Sequence, residues 1–258
     1  MAVLTCDFFS ESLEMGTSMT VVLPQATESQ IGVEAADGPD GAGFPVLYLL
    51  HGLSDDHSAW QRYTSIERYA AAAGLAVVMP AVGRSFYADE RHGHRYWTYV
   101  AQELPALVQS FFRISTAPED TFVAGLSMGG YGALKLALTY PERYAAAASL
   151  SGALDVVALS TLGERRALFE RVFDGVVGPA DDLFALLATA TGSELPALHV
   201  SCGTEDPLVA ANRRFVAAAT EAGARVTTDF APGAHEWGLW DRVIEDVIAW
   251  LPRETPAR

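Results

Sequence analysis

The sequence predicts a single α/β domain, residues 1–258, with a mostly parallel central sheet and helices on both faces. Strand-like and helical segments alternate along most of the 258 residues, a pattern typical of parallel sheets. Two short runs, 45–50 and 75–79, are almost entirely apolar, as expected for strands buried on both faces. A chain of this length can bury a large core within one domain.

The first half of the chain supplies strands and two helices. Thr64 and Glu67 have the spacing of a capping box at the start of a helix. Alanines 70–73 favour that helix, and Gly74 is a natural stop after them. Pro105 is expected to kink or bound a second helix. The predicted order is strands 5–10, 19–24 and 45–50, the helix ending at Gly74, strand 75–79 and helix 98–112.

The second half continues the alternation with one interruption. Residues 153–195 contain helical segments broken by glycines and a proline, and we interpret them as a helical insertion over the site rather than a second domain. The residues around this insertion predict regular elements. They are strand 121–125, helix 131–140, strand 145–151, strand 198–202, helix 209–221, strand 225–230 and helix 241–251.

The charge and cysteine content of the chain limit which partners and which cellular compartment we expect. With 32 acidic and 17 basic residues the net charge is −15, which argues against nucleic acid or an anionic membrane as partner but allows a small neutral substrate. No apolar run is long enough to span a bilayer, and the first ten residues do not resemble a signal peptide. Cys6 and Cys202 are expected to be free thiols of a cytoplasmic protein, and no C-x-x-C pair suggests zinc. His92-Gly-His94 resembles a fragment of a metal site, but it has no third ligand nearby in the sequence, so no metal is predicted.

Residues 125–129, Gly-Leu-Ser-Met-Gly, match the pattern G-x-S-x-G. A strand-like segment precedes them and a helical segment follows, which is the context of a nucleophile elbow. The glycines leave room for a tight, strained turn, and the following helix places N–H groups beside Ser127. The motif predicts Ser127 as a nucleophile rather than an ordinary serine in a glycine-rich turn.

A nucleophilic serine needs a histidine base, and only two histidines follow Ser127. His199 lies inside an apolar, strand-like run and is expected to be a sheet residue. His235 lies in a loop between the last predicted strand and the last helix, where the base of an α/β-hydrolase is expected. We therefore predict His235 as the base.

The acid that orients the base should follow the preceding strand, 198–202. Asp206 and Glu205 both satisfy this position, and Asp206 is favoured. The alternative for Asp206 is a plain turn residue, since Asp-Pro favours turns. Glu236 adjoins His235 and is poorly placed to bond its ring.

The oxyanion hole needs two backbone donors. One is expected to be the N–H of Met128, which follows the nucleophile, and the other the N–H of Leu53, in the loop after strand 45–50. Gly52 lets the backbone approach closely, and His51 is expected to shape this loop rather than act as a base. Three aromatic residues in the same carboxyl-end loops, Trp60, Tyr87 and Trp237, are predicted to contact substrate; core packing is the alternative for each.

Several segments together resemble the tributyrin esterase branch of the esterase D family, also described as the putative-esterase family. The resemblance spans nearly the whole chain and is weakest in 25–43 and 153–195. It implies an α/β-hydrolase fold, Ser127, Asp206 and His235 as the triad, Leu53 and Met128 as oxyanion donors, and a homo-oligomer. The segments are Phe8-Phe-Ser-Glu-Ser-Leu, Pro45-Val-Leu-Tyr-Leu-Leu-His-Gly-Leu-Ser, Gly125-Leu-Ser-Met-Gly-Gly-Tyr-Gly-Ala, Ser151-Gly-Ala-Leu, Cys202-Gly-Thr-Glu-Asp and Gly233-Ala-His-Glu-Trp.

The chain departs from the S-formylglutathione hydrolases of that family, which typically carry histidines where Leu126 and Tyr131 stand here. They also usually have a cysteine in the oxyanion loop, where this chain reads Ser54-Asp55-Asp56-His57. These departures favour a serine carboxylesterase acting on short acyl esters without cofactor or metal. Thioester hydrolysis is the first alternative, followed by acyl transfer and by non-catalytic binding on the same fold.

Overall fold

A twisted eight-stranded sheet forms the centre of the protein. The computed structural model describes residues 1–27, 29, 31, 43–190 and 195–252. Within them the strands follow the spatial order β1-β2-β4-β3-β5-β6-β7-β8. They are β1 (Ala2–Ser10), β2 (Met15–Leu23), β3 (Val46–Leu50), β4 (Ala76–Pro80), β5 (Thr121–Leu126), β6 (Ala146–Leu150), β7 (Ala197–Ser201) and β8 (Val226–Asp229).

The six strands β3 to β8 run parallel to one another, and β1 and β2 add an antiparallel ribbon beside β4 at one edge. The predicted mostly parallel sheet is therefore confirmed. Alternate residues of β3 face opposite sides, so that Val46, Tyr48 and Leu50 belong to one hydrophobic core. Leu47 and Leu49 belong to the other. This two-sided burial explains why the strand is apolar throughout.

Helices cover both faces of the sheet. α5 and α9 pack in the core that contains Val46, and α2 and α10 pack in the core that contains Leu47. The helices are α1 (Ala59–Tyr63), α2 (Ile66–Ala73), α3 (Tyr96–Thr98), α4 (Leu104–Phe111), α5 (Met128–Thr139), α6 (Val156–Ser160), α7 (Arg166–Phe173), α8 (Leu183–Thr189), α9 (Val209–Glu221) and α10 (Trp237–Trp250). No helix among the described residues has the length and apolar character needed to cross a membrane.

The capping box predicted for α2 is wrong. The N-cap residue is Ser65, and its backbone N–H donates to the Asp241 carboxylate at 2.8 Å. Glu67 instead accepts a hydrogen bond from the Gln61 amide at 2.9 Å. Thr64 lies at the end of α1. The helix stop is confirmed, because Gly74 has the left-handed φ of 61°.

Pro105 lies near the start of a helix, as predicted, and a π-helical turn that the sequence did not predict comes directly before that helix. A π-helical turn, Tyr99–Glu103, joins α3 to α4, and Pro105 lies in the first turn of α4. Because α4 continues directly from the π-helical turn, the altered hydrogen-bond pattern of that turn accommodates the N–H that Pro105 lacks.

The described part of the insertion forms α6 to α8 and packs beside α5. The ammonium group of Lys135, a buried residue of α5, lies 2.5 Å from the Asp181 carboxylate and 4.1 Å from the centre of the Trp97 ring. The Tyr131 hydroxyl donates to the backbone carbonyl of Asp181 at 2.7 Å. These contacts fix the insertion to the helix that begins directly after Ser127. Residues 191–194 of the predicted insertion lie outside the described residues.

Candidate active site

Ser127 occupies a strained turn between β5 and α5, with φ 53° and ψ −116°. Two glycines make the turn sterically possible. A Cβ on Gly125 would lie 2.4 Å from the backbone of Gly129, and a Cβ on Gly129 would lie 2.3 Å from the carbonyl oxygen of Leu50. The Ser127 backbone N–H donates to the carbonyl of Leu150 at 2.9 Å. The surrounding structure thus holds the serine in a conformation that an isolated chain would avoid.

The structure brings Ser127, His235 and Asp206 into one hydrogen-bonded series. His235 Nε2 lies 3.1 Å from Ser127 Oγ, and His235 Nδ1 lies 2.7 Å from Asp206 Oδ2. An ionised carboxylate only accepts hydrogen bonds, so Nδ1 carries the proton and Nε2 presents a lone pair to the serine hydroxyl. This is the geometry in which an imidazole can remove the proton of a nucleophile.

Asp206 is buried in the loop after β7, where an ionised group needs compensation. Burial alone would raise the pKa of its carboxyl. The hydrogen bonds from His235 and from the Leu208 backbone N–H, the latter at 2.8 Å, instead hold that pKa below its usual range. The carboxylate is therefore ionised at neutral pH, as the proton on Nδ1 requires.

Glu205, the alternative acid, does not reach the ring of His235. Its carboxylate accepts hydrogen bonds from the Gly233 backbone N–H and from the Thr204 hydroxyl. Its own backbone N–H donates to the Gly233 carbonyl at 3.1 Å. The bond from Gly233, followed by that from Thr204, lowers the pKa of Glu205. Glu205 therefore clamps the loop that carries His235, two residues before the histidine.

The loop predicted to supply the second oxyanion donor lies beside the nucleophile. A Cβ on Gly52 would lie 3.6 Å from the Cβ of Ser127, so the backbone leading to Leu53 runs next to the serine. Met128 opens α5, and the first N–H groups of a helix have no partner within that helix. The two predicted donors thus belong to backbone segments that flank Ser127.

His51 shapes this loop. It is buried, its Nε2 accepts a hydrogen bond from the Val82 backbone N–H at 3.0 Å, and its Nδ1 donates to the Gly52 carbonyl at 2.7 Å. Burial lowers the pKa of His51, although the bond to Gly52 opposes the shift. The imidazole is therefore neutral at pH 7.

The expected substrate contacts of Trp60 and Tyr87 are contradicted by their burial. Trp60 is 1% exposed and its Nε1–H donates to the Leu50 carbonyl at 3.0 Å. Tyr87 is completely buried and its hydroxyl donates to the His51 carbonyl at 3.0 Å. Both side chains support the chain at the end of β3 from inside the protein, because their polar atoms donate to the backbone carbonyls of Leu50 and His51 there.

Trp237, the third predicted substrate contact, is partly exposed two residues after His235. Its ring packs between Tyr63 at 4.9 Å and Trp240 at 5.3 Å, measured between ring centres. Trp240 lies one helical turn into α10, and its ring meets the His235 ring edge-on at 4.8 Å.

Metal-ligating side chains are not clustered in the part of the chain that the structure describes, where no group of three or more could hold a metal ion. His92, half of the His92-Gly-His94 segment, instead pairs with Asp174 at 3.1 Å on the surface.

Comparison with known proteins extends the likeness over the full chain. An acetyl esterase from Caldicellulosiruptor saccharolyticus is 29% identical, over 98% of this chain and 99% of the relative. Two Staphylococcus aureus structures, fluorophosphonate-binding serine hydrolase F and an S-formylglutathione hydrolase, are 32% and 33% identical. Their TM-scores are 0.86 and 0.83, and each comparison covers 98% of this chain and 99% of the other.

The family comparison agrees with these relatives. A model of the family described as "Putative esterase" matches residues 10–251, which include Ser127, Asp206 and His235. The fold, the sheet order and the elbow are those of an α/β-hydrolase. The chain therefore belongs to the "Putative esterase" family of α/β-hydrolases.

Proposed function

We propose that the protein is a serine carboxylesterase that hydrolyses short-chain acyl esters through an acyl-enzyme. The hydrogen-bonded series from Asp206 through His235 to Ser127 is the observation that carries this proposal. The full-length likeness to an acetyl esterase supports an ester with a small acyl group as substrate.

In the first half of the reaction, Ser127 Oγ attacks the ester carbonyl while His235 Nε2 takes its proton. Asp206 stabilises the resulting imidazolium and holds the ring in the correct tautomer. The carbonyl oxygen becomes negatively charged and accepts hydrogen bonds from the N–H groups of Leu53 and Met128. One such donor typically contributes ~10²–10³ in rate. Collapse of the intermediate breaks the ester bond, and His235 protonates the leaving alcohol.

In the second half, water replaces the alcohol. His235 removes a proton from the water, which attacks the acyl carbonyl, and the same two N–H groups bind the new oxyanion. When this intermediate collapses, His235 returns the proton to Ser127 Oγ and the carboxylic acid leaves. His235 performs every proton transfer, so these steps call for neither cofactor nor metal.

Thioester hydrolysis is the second candidate, favoured by the 33% identity to an S-formylglutathione hydrolase. The same triad would serve a thioester, since the acyl-enzyme is identical. Tyr131, one of the two departures from that subgroup, is buried, and its hydroxyl donates to the Asp181 backbone carbonyl at 2.7 Å rather than being free for a substrate. We therefore keep the simple ester as the preferred substrate.

A comparison of rates on purified protein tests the proposed substrate class. We expect p-nitrophenyl esters of short acyl chains to be hydrolysed faster than those of long chains and faster than S-formylglutathione. The measurement is kcat/KM across the ester series and for the thioester. A clear preference for S-formylglutathione would contradict the ester assignment and place the chain among thioester hydrolases.

Removing the Glu205 clamp should impair the reaction without weakening substrate binding. In Glu205→Ala the loop loses the bond from Gly233, so His235 is less well aligned, and kcat should fall about 10-fold to 100-fold. KM should change little, because Glu205 does not lie beside Ser127. In Glu205→Gln the amide oxygen can still accept the Gly233 bond, and most activity should return. Equal losses in both variants would show that the carboxylate has another role.

A further inference from the structure

An acidic side chain that the proposed mechanism does not use lies beside the nucleophile. A Cβ built on Gly52 would lie 3.0 Å from Asp55 Oδ2 and 3.6 Å from the Cβ of Ser127. The Asp55 carboxylate and the Cβ of Ser127 therefore lie near the same point next to Gly52. A backbone bond of 3.2 Å from Asp55 N–H to the Gly52 carbonyl closes this turn and folds Asp55 back over it.

The Asp55 carboxylate is not engaged by any other described group. The residue is partly exposed, and within the described residues its side chain forms no hydrogen bond or ion pair. Its neighbour Asp56 is different. That carboxylate accepts hydrogen bonds from Ser58 N–H and Oγ at 2.8 and 2.6 Å, and it lies 3.7 Å from the Arg62 guanidinium.

We propose that Asp55 sets the charge selectivity of the site, so that uncharged esters are accepted and esters with an anionic group near the reacting carbonyl are disfavoured. The proposal rests on the proposed function of Ser127. A fixed negative charge near Ser127 repels a second negative charge on the substrate both on approach and in the transition state. The net charge of −15 adds a long-range repulsion of the same sign, which salt screens.

The carboxylate also opposes the negative charge that develops on the oxyanion. Removing it should therefore speed up neutral esters to some extent as well. Selectivity must for this reason be measured as a ratio of two substrates and not as one rate. A suitable pair is 4-acetoxybenzoate, which is anionic, and its uncharged methyl ester, because both present the same acetyl carbonyl. The two esters differ in the reactivity of their leaving groups, but this difference is the same for every variant. It therefore cancels when the ratio of the two rates is compared between variants.

In Asp55→Asn, the ratio of kcat/KM for the anion to that for the methyl ester should rise roughly fivefold. Asp56→Asn is the matched control, since it removes the same charge one residue away while its side chain is engaged with Ser58 and Arg62. Its ratio should change by less than about twofold. Added salt should raise the wild-type ratio more than the Asp55→Asn ratio.

The outcomes separate this inference from the proposed function. If wild-type protein hydrolyses both esters and the ratio is the same in wild type, Asp55→Asn and Asp56→Asn, the selectivity role of Asp55 is overturned. If the ratio rises equally in both variants, overall charge rather than Asp55 sets selectivity, and the proposal also fails. If wild-type protein does not hydrolyse the methyl ester, the proposed function itself fails. Should Asp55→Asn fold poorly, Asp55→Ser removes the same charge with a smaller side chain, and its ratio compared with that of Asp56→Asn decides between Asp55 and overall charge.

Discussion

Replacing Ser127 by alanine is expected to lower kcat for a short-chain ester by ~10⁴-fold or more. The change removes the only oxygen that His235 Nε2 contacts at 3.1 Å among the described residues, and with it the acyl-enzyme route. Residual hydrolysis would come from the oxyanion donors and from binding alone. The measurement is kcat for a p-nitrophenyl ester under saturating substrate.

The fold of Ser127→Ala should be intact. Alanine at φ 53° carries the same backbone strain as serine, and the hydrogen bond from the residue 127 N–H to Leu150 does not involve the side chain. Ser110→Ala is a matched control, because that exposed serine bonds only to a carbonyl of its own helix, α4. A folded Ser127→Ala protein with near wild-type turnover would refute the assignment of the nucleophile.

Replacing Asp206 by asparagine is expected to lower kcat about 10³-fold to 10⁴-fold. The asparagine Oδ1 can keep the hydrogen bond from Leu208 N–H, which places the amide nitrogen where Oδ2 meets His235 Nδ1. That nitrogen donates to Nδ1, so the ring proton moves to Nε2. Nε2 then cannot accept the proton of Ser127. The measurement is kcat, with circular dichroism to verify folding.

Glu205→Gln is the informative control, because it makes the same chemical change in the adjacent carboxylate. Since Glu205 binds Gly233 rather than the imidazole, kcat should fall by less than about tenfold. A larger loss in Glu205→Gln than in Asp206→Asn would reverse the two assignments and make Glu205 the orienting acid.

Local sequence information was sufficient where short segments determine both structure and chemistry. The nucleophile elbow could be predicted from five residues and their strand–helix context, because the motif itself contains the glycines that the tight turn needs at 125 and 129. The parallel sheet followed from apolar runs such as 45–50. The position of His235 could be inferred from chain order, since few histidines follow Ser127.

Long-range contacts explain what the sequence did not predict. The capping box of Thr64 and Glu67 failed because the N–H of the N-cap residue, Ser65, binds Asp241, far along the chain, and Glu67 binds Gln61. Trp60 and Tyr87 lie in the loops where they were expected, but periodicity cannot reveal that their polar atoms bind Leu50 and His51 carbonyls inside the protein. The oxyanion role of Leu53 and Met128, substrate contact by Trp237, the cytoplasmic location and a homo-oligomeric state stay predictions.

The central claim, that Ser127 is the nucleophile of a working triad, is tested most directly by fluorophosphonate labelling. We predict one covalent adduct per chain in intact-protein mass spectra, located on Ser127 by peptide sequencing. The adduct should be absent from Ser127→Ala and should form much more slowly in Asp206→Asn, whose base cannot accept the serine proton. Labelling of a different residue, or equal labelling of Ser127→Ala, would contradict the account.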